Sequence, residues 1–447
     1  MFLQKKCISG DLVEVTENIP SKDHTLMLMS KLAGKLRRKI NQFSGYVSSG
    51  LDKTAQRFVR EAVYGMLCSQ SVLLTEIGRT LQSTVSLKKI EERFCRQLQK
   101  PKLWDGIHRQ VLADAGPRIG EDMLLILDLS DITKTYAKKM EYLARVRDGS
   151  TDGELTNGYW TTHVVGAELD STRVLPLYQE LYSQNAPDFK SENTQILAAI
   201  DRVHAAGDGR GIWVIDRGGD RNVLFDRLLD KHDPKEFIIR LVGDRHLCCG
   251  RQKKAALELA RTCKTPYSQT IVKTKGGREM AYELTFGYLQ VRLPGHGQPL
   301  WMLVVNGYGE KPMMLLTTRA LRRNRGVLWR VLRSYIKRWS IEQTIRFVKQ
   351  CYDVENIRVL SYSRLRNMMG LLLAVFYFMA VKLDTSAKLS IMSGYIMKAA
   401  KRVFGVPDFK YYAMSDGLSA IFRRSAGKIP TSPTEGLDPN QLGMGFT

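Results

Sequence analysis

From about residue 24 to 115, apolar residues recur every three or four positions, in SKLAGKLRRKI, QRFVREAVYGMLCSQ, SVLLTEIGRTLQ and LKKIEERFCRQLQK. That period is helical, and no one-for-one alternation interrupts it, so this stretch reads as an all-helical region. After Pro117 the pattern changes. MLLILD (123–128) and GIWVID (211–216) are nearly continuous apolar runs that each end in an aspartate, as strands buried on both faces do. YWTTHVVGAEL (159–169), STRVLPLYQELY (171–182) and KEFIIRLVG (235–243) add runs rich in β-branched and aromatic residues, which read as strands. NTQILAAIDRVHAAG (193–207) is an amphipathic helix stopped by glycine, and GGDRNVLFDRLLDKH (218–232) opens another. These elements make an α/β fold, a mixed sheet covered by helices.

From about 243 to 320 the chain turns β-rich: SQTIVKTK, MAYELTFGYLQVRL, LWMLVVNGYG and PMMLLTTRA are separated by Gly, Pro and charged turns. This block interrupts the αβ pattern, which resumes with a basic helix near Val327. The stretch YIKRWSIEQTIRFVK (335–349) reads as one helix, and MMGLLLAVFYFMAV (368–381) as a buried one. A basic helical stretch, YIMKAAKRVFG, and a mobile Pro/Gly/Ser/Thr-rich tail close the chain. The expected organisation is a helical DNA-binding region over 1–116, a core in two parts at 117–242 and 321–385, a β-rich insertion at 243–320 between them, and a C-terminal helical region with its tail at 386–447.

Composition narrows the partners. The 68 Lys and Arg against 45 Asp and Glu leave a net charge of +23, which favours a polyanion, with nucleic acid first. Between Lys31 and Lys102, fifteen basic residues face five acidic ones, and SVLLTEIGRTLQSTVSLKKIEERF resembles two short helices around a polar turn, as in helix-turn-helix readers of DNA. A membrane partner is not expected: the run at 368–381 falls short of the roughly 20 residues that a spanning helix needs, and the opening MFLQKKCISGDLVEV lacks the apolar core of a signal peptide. Seven scattered cysteines suggest neither a disulfide framework nor a zinc site and fit a reducing compartment. No P-loop and no GxSxG motif is present, and the glycines of GDGRGIWV precede their strand instead of following it, so nucleotide hydrolysis, acyl transfer and dinucleotide binding lack their usual marks.

The candidate chemistry lies in three acids. On a continuous helix, Tyr335, Arg338, Glu342, Arg346 and Lys349 fall within an arc of about 80°, so one carboxylate stands in a row of cations and aromatics. Ion pairing on a solvated helix explains such a row in ordinary proteins. Asp128 and Asp216 change the weighing, because each ends a buried strand, where α/β sheets place their ligands. Three carboxylates form an all-oxygen site suited to magnesium or manganese, and two such ions can serve both oxygens of a phosphodiester displacement. The surrounding cations, Arg346 included, would then hold DNA phosphates.

The spacing of Tyr335, Arg338, Glu342 and Lys349 matches the Y-x2-R-x3-E-x6-K signature of bacterial insertion-sequence DDE transposases, in the subgroup that carries a β-rich insertion before the catalytic glutamate. LILDLS resembles that family's first D-x-[ST] motif and VIDRGGD its second aspartate motif. The resemblance covers about 117–385. It implies an RNase H-like catalytic core and metal-dependent cutting of double-stranded DNA at transposon ends, followed by strand transfer. Asp128, Asp216 and Glu342 are the implied ligands of two divalent ions, Mg2+ with Mn2+ as a substitute, and Asp131 is the alternative for the first. Tyr335, Arg338 and Lys349 are the implied contacts to end phosphates, and Trp339 corresponds to an aromatic that stacks on a flipped base. Met313 or Met314 stands where some relatives have a second tryptophan. Pairing of two ends implies a homodimer, and the family implies a bacterial cytoplasmic, nucleoid-associated protein. A descendant that keeps the fold and charge but only binds DNA is the alternative.

Overall fold

The helical periodicity of the N-terminal region becomes α1 (Lys22–Val47), α2 (Lys53–Ser69), α3 (Leu74–Arg79), α4 (Leu87–Leu98) and α5 (Leu103–Ala115) in the computed structural model, which describes residues 22–147, 149, 153–275, 278–383, 409–425 and 427–429. Asp52 starts α2 by accepting the Thr54 and Ala55 amides, each at 3.0 Å, which satisfies donors that the first helical turn leaves open. The short α3 and α4 flank a polar turn, as expected. The five helices are not a separate body. Their apolar faces share one buried cluster with the sheet.

A ten-stranded sheet follows, made of β1 (Leu124–Thr133), β2 (Ala144–Arg147), β3 (Leu155–Ala167), β4 (Val174–Tyr182), β5 (Ile212–Ile215), β6 (Glu236–Arg240), β9 (Tyr267–Lys275), β10 (Arg278–Val291), β11 (Leu300–Asn306) and β12 (Met313–Thr317). The small hairpin of β7 (His246–Cys249) and β8 (Gln252–Ala255) stands apart from it. At its centre β4, β3 and β1 form an antiparallel meander, and β5 and β6 continue parallel to β1, giving the order β4-β3-β1-β5-β6. The β-rich insertion extends this same sheet, because β12 pairs antiparallel with β6 and β11, β10 and β9 follow outward.

Alternate residues of each central strand enter opposite cores, as the period of two requires. Leu125, Leu127, Trp213 and Ile215 join the N-terminal helices, α6 (Glu192–Ala206), α7 (Asn222–Leu228) and α11 (Tyr362–Tyr377). Leu124, Ile126, Ile212 and Val214 pack instead under α9 (Arg325–Lys337) and the start of α10 (Trp339–Cys351). The remaining helices are α8 (Ala256–Thr262) and α12 (Tyr411–Arg424). The run at 368–381 lies in α11 and the π-turn after it; the segment Tyr362–Leu383 is long and apolar enough to cross a membrane, yet most of it is buried inside the protein.

Two expectations are corrected. β1 does not end at Asp128 but continues to Thr133 along β3, since the antiparallel partner outlasts the parallel one. The stretch 335–349 is not one helix: it breaks at Arg338, where i to i−3 bonds (Arg338 N–H to Tyr335 O, Ile341 N–H to Arg338 O) tighten the turn between α9 and α10. Within the helical region expected over 386–447 the chain forms α12, while YIMKAAKRVFG and nearly all of the tail lie outside the described residues.

Candidate active site

β5 pairs with β1 only as far as Ile215 opposite Leu127. The next residue on each strand is an aspartate, so Asp128 and Asp216 stand side by side where the shorter strand stops, on strands about 4.8 Å apart. Both carry the parity of Leu124, Ile126, Ile212 and Val214, and so share the sheet face that α9 and the start of α10 cover. α10 is anchored there by Ile341 and Ile345, buried in the same cluster, which turns Glu342 toward the strand ends. Phe347 and Val348, a turn later, enter the opposite core. The helix thereby crosses the gap that β5 leaves beside the projecting half of β1.

Arg338, at the helix break, joins the acids. One guanidinium nitrogen lies 3.1 Å from Asp128 Oδ2 and another donates to Glu342 Oε1 at 2.6 Å. The Asp128 side chain is 19% exposed, that of Arg338 11% and that of Glu342 42%. Asp216 accepts the Gly218 amide at 2.7 Å, which holds its turn. Burial, then repulsion from Asp216, pushes the Asp128 carboxyl up to about 7, with Glu342 adding to the rise and Arg338 opposing it. A nearby arginine ordinarily depresses an aspartate. Here desolvation and two like charges outweigh it, the signature of an acid cluster short of positive charge.

Tyr335 is buried, with the Arg338 guanidinium 5.9 Å from its ring centre. Burial raises its phenol, while Arg338 and Arg240 pull the other way. Lys349 lies 3.0 Å from Asp131 and 3.2 Å from Glu355, one helix turn or more beyond the acids. Asp131 itself is buried and, three residues along β1, faces away from Asp128. Arg346 is exposed and makes no ion pair among the described residues, so of the two arginines four residues from Glu342 only Arg338 pairs with it. Trp339 is 49% exposed and is not a packed core residue. The structure thus gathers Asp128, Asp216, Glu342, Arg338 and Tyr335 in one place, with Lys349 and Asp131 forming a neighbouring pair.

Sequence reasoning passed over three residues near this site. His163 is directly across from Asp128 on β3, bonded to Thr161 Oγ1 at 2.8 Å and pushed down to about 3 by burial and by Lys349. Arg240 ends β6 beside Tyr335. Asp220, with no exposed side-chain surface, accepts the Val242 amide and Arg245 and so ties the turn after β5 to the end of β6. Its motif, VIDRGGD, offered a signal in the second aspartate; His163 had none.

Among the described residues, no three His, Cys, Asp or Glu side chains are grouped as they stand to hold one metal ion. Arg338 lies between two of the acids. The donor set nonetheless fits a hard divalent cation: it is all carboxylate oxygen, it converges from two strands and a helix, and the high proton affinity of Asp128 is relieved by any added positive charge.

No family model and no curated protein matches the chain. Among solved structures it is similar to a cryo-EM structure of a piggyBac transposase synaptic complex with hairpin DNA, at 10% sequence identity and a TM-score of 0.40, over 89% of this chain and 81% of that one.

Proposed function

We propose that this chain is a DDE transposase that binds the ends of an insertion sequence and catalyses metal-dependent cleavage and transfer of DNA strands. The observation that carries the reading is the pairing of Asp128 and Asp216 at equivalent positions of adjacent parallel strands, with Glu342 joined to Asp128 through Arg338. The strand order β4-β3-β1-β5-β6, three antiparallel and two parallel to the first, supports an RNase H-like core.

Asp128, Asp216 and Glu342 would hold two divalent ions, Mg2+ or Mn2+, which when bound stabilise charge on the attacking and departing oxygens of a phosphodiester. The chain's own groups bind and orient the DNA. Arg338 and Tyr335, at the rim of the acids, hold the phosphate next to the bond cut, Arg338 exchanging its carboxylates for phosphate oxygens with the bidentate geometry that suits both. Arg346 extends the contact along the exposed side of α10, and Lys349 adds charge from its place beside Asp131. Trp339, exposed at the helix break, offers a face for a base out of the stack. Two copies would pair two ends.

The test uses DNA carrying the sequences that flank the gene, with magnesium, and scores strand breaks bearing a free 3′-hydroxyl. Asp128→Asn, Asp216→Asn and Glu342→Gln should each lower cleavage by about a thousandfold or more, the scale on which members of one catalytic unit fail, while leaving DNA binding intact. Cleavage by Glu342→Gln at the wild-type rate overturns the assignment.

A further inference from the structure

Past Asp128 the chain runs along β1 to Thr133, turns through 134–143 and returns as β2. Residues 134–147, KTYAKKMEYLARVR, hold five Lys or Arg and one acid. This arm is tied down at intervals along its length. Lys134 Nζ donates to Glu355 O and to Ile357 O; Asn157 donates to Ala137 O at 3.2 Å, Tyr159 to Glu141 O at 2.6 Å and Asn185 to Leu143 O at 2.7 Å. The Glu141 amide donates to Leu360 O at 2.9 Å. Ala144 and Val146 of β2 face inward, and Arg145 and Arg147 outward.

A loop held at these points nevertheless turns most of its long side chains, Lys134 excepted, to water. Tyr136 is 94% exposed. Lys138, Lys139 and Arg147 are exposed and make no ion pair or hydrogen bond among the described residues. Arg145 is oriented by Asn157 Oδ1 at 3.1 Å and Leu155 O at 2.7 Å. Glu141, the single acid, is occupied in accepting the Tyr362 amide at 2.8 Å. Unpaired cations and a bare aromatic on a preorganised backbone lose little conformational entropy on binding, and the partner of matching charge is a polyanion that also offers flat rings. The five extended steps from Asp128 to Thr133 span about 17 Å, roughly five base pairs of duplex.

We infer that the arm 134–147 is a second nucleic-acid contact, in which Lys138, Lys139, Arg145 and Arg147 hold the phosphate backbone of the duplex about five base pairs beyond the bond at the acids and Tyr136 lies against it. The inference rests on the transposase reading and deepens it, since it names where the DNA leaves the site. Asp148, Asp152 and Glu154 follow in the sequence and end the basic run at Arg147.

The experiment measures binding of the full chain to a short duplex of arbitrary sequence, with chelator in place of metal, across a salt series. Lys138→Ala/Lys139→Ala/Arg147→Ala should lower the slope of log affinity against log salt by about 2 to 3, one increment for each phosphate that is no longer neutralised. A control that removes the same charge elsewhere, Lys231→Ala/Lys264→Ala/Lys311→Ala, should lower it by less than about 1, and the arginine variant Lys138→Arg/Lys139→Arg should keep the wild-type slope. A triple arm variant with the wild-type slope overturns the inference, as does an equal loss in the control, which would reduce the effect to net charge. Failure of the wild-type chain to bind any duplex would instead remove the transposase reading beneath it. Thermal unfolding of each variant verifies that the surface changes leave the fold in place.

Discussion

At the scale of single residues, Arg338 carries opposing demands. In the protein without metal or DNA it neutralises Asp128 and Glu342, and it is nine-tenths buried while doing so. Removing it by Arg338→Ala leaves Asp128 among like charges, so the variant is destabilised wherever that carboxylate is ionised. The sign follows from linkage: an aspartate whose folded value lies near 7, above the ordinary 3.8, binds a proton in the native state that the unfolded chain has already lost. Its contribution is therefore fully present at acid pH and falls as pH rises through about 7. Loss of Arg338 strengthens that trend. Thermal midpoints in chelating buffer should differ little between wild type and Arg338→Ala near pH 4 and diverge by the equivalent of about 2 kcal/mol near pH 8, a buried-pair penalty reduced for the partial exposure of Glu342. A difference that shrinks with rising pH would place the stabilising role of Arg338 elsewhere.

At the scale of elements, the joints matter most. Gly116 ends α5 and abuts α6: a Cβ there would stand 2.0 Å from the Ala206 carbonyl oxygen, a backbone atom that cannot move aside. Gly116→Ala should lower stability by about 2 to 3 kcal/mol through overpacking, read as a shifted urea midpoint with an unchanged slope. Such joints were invisible in the sequence, whereas the elements they connect were not. The strands at 123–128 and 211–216 were legible because burial on both faces writes continuous apolar runs, those at 159–169, 171–182 and 235–243 through their β-branched and aromatic residues, and the aspartates ending the first two marked the site. The break at Arg338 was not legible, since Lys337, Arg338 and Trp339 are all competent helix residues; packing decides it, with α9 committed to one face of the sheet and α10 crossing to the other. The continuation of β1 past Asp128 was hidden for a related reason: LSDIT is too polar for a strand buried on both sides, and it is held by β3 alone.

At the scale of the whole molecule, the charge concentrated in the N-terminal helices suggested a region with its own binding role, but their core is continuous with that of the sheet. The connection runs through Trp104 and Asn367. Trp104, buried on α5, donates its indole N–H to Gln179 O of β4 at 3.0 Å. Asn367 of α11, 3% exposed, accepts the Trp104 amide at 2.9 Å and donates to Leu98 O and Lys100 O at 2.7 and 2.8 Å. One side chain therefore satisfies three backbone groups at the α4–α5 junction, and Asn367→Ala removes all three bonds and leaves the Trp104 amide without its acceptor, at a cost of about 3 kcal/mol. If the helices and the sheet unfold as one unit, this loss appears in both. Tryptophan fluorescence, to which Trp104 on the helices and Trp213 on β5 contribute, should trace the same urea transition as far-UV circular dichroism, in wild type and variant alike. Two separated transitions, with only the earlier one moved by Asn367→Ala, would mean that the helical region folds as a domain of its own, free to move relative to the acids.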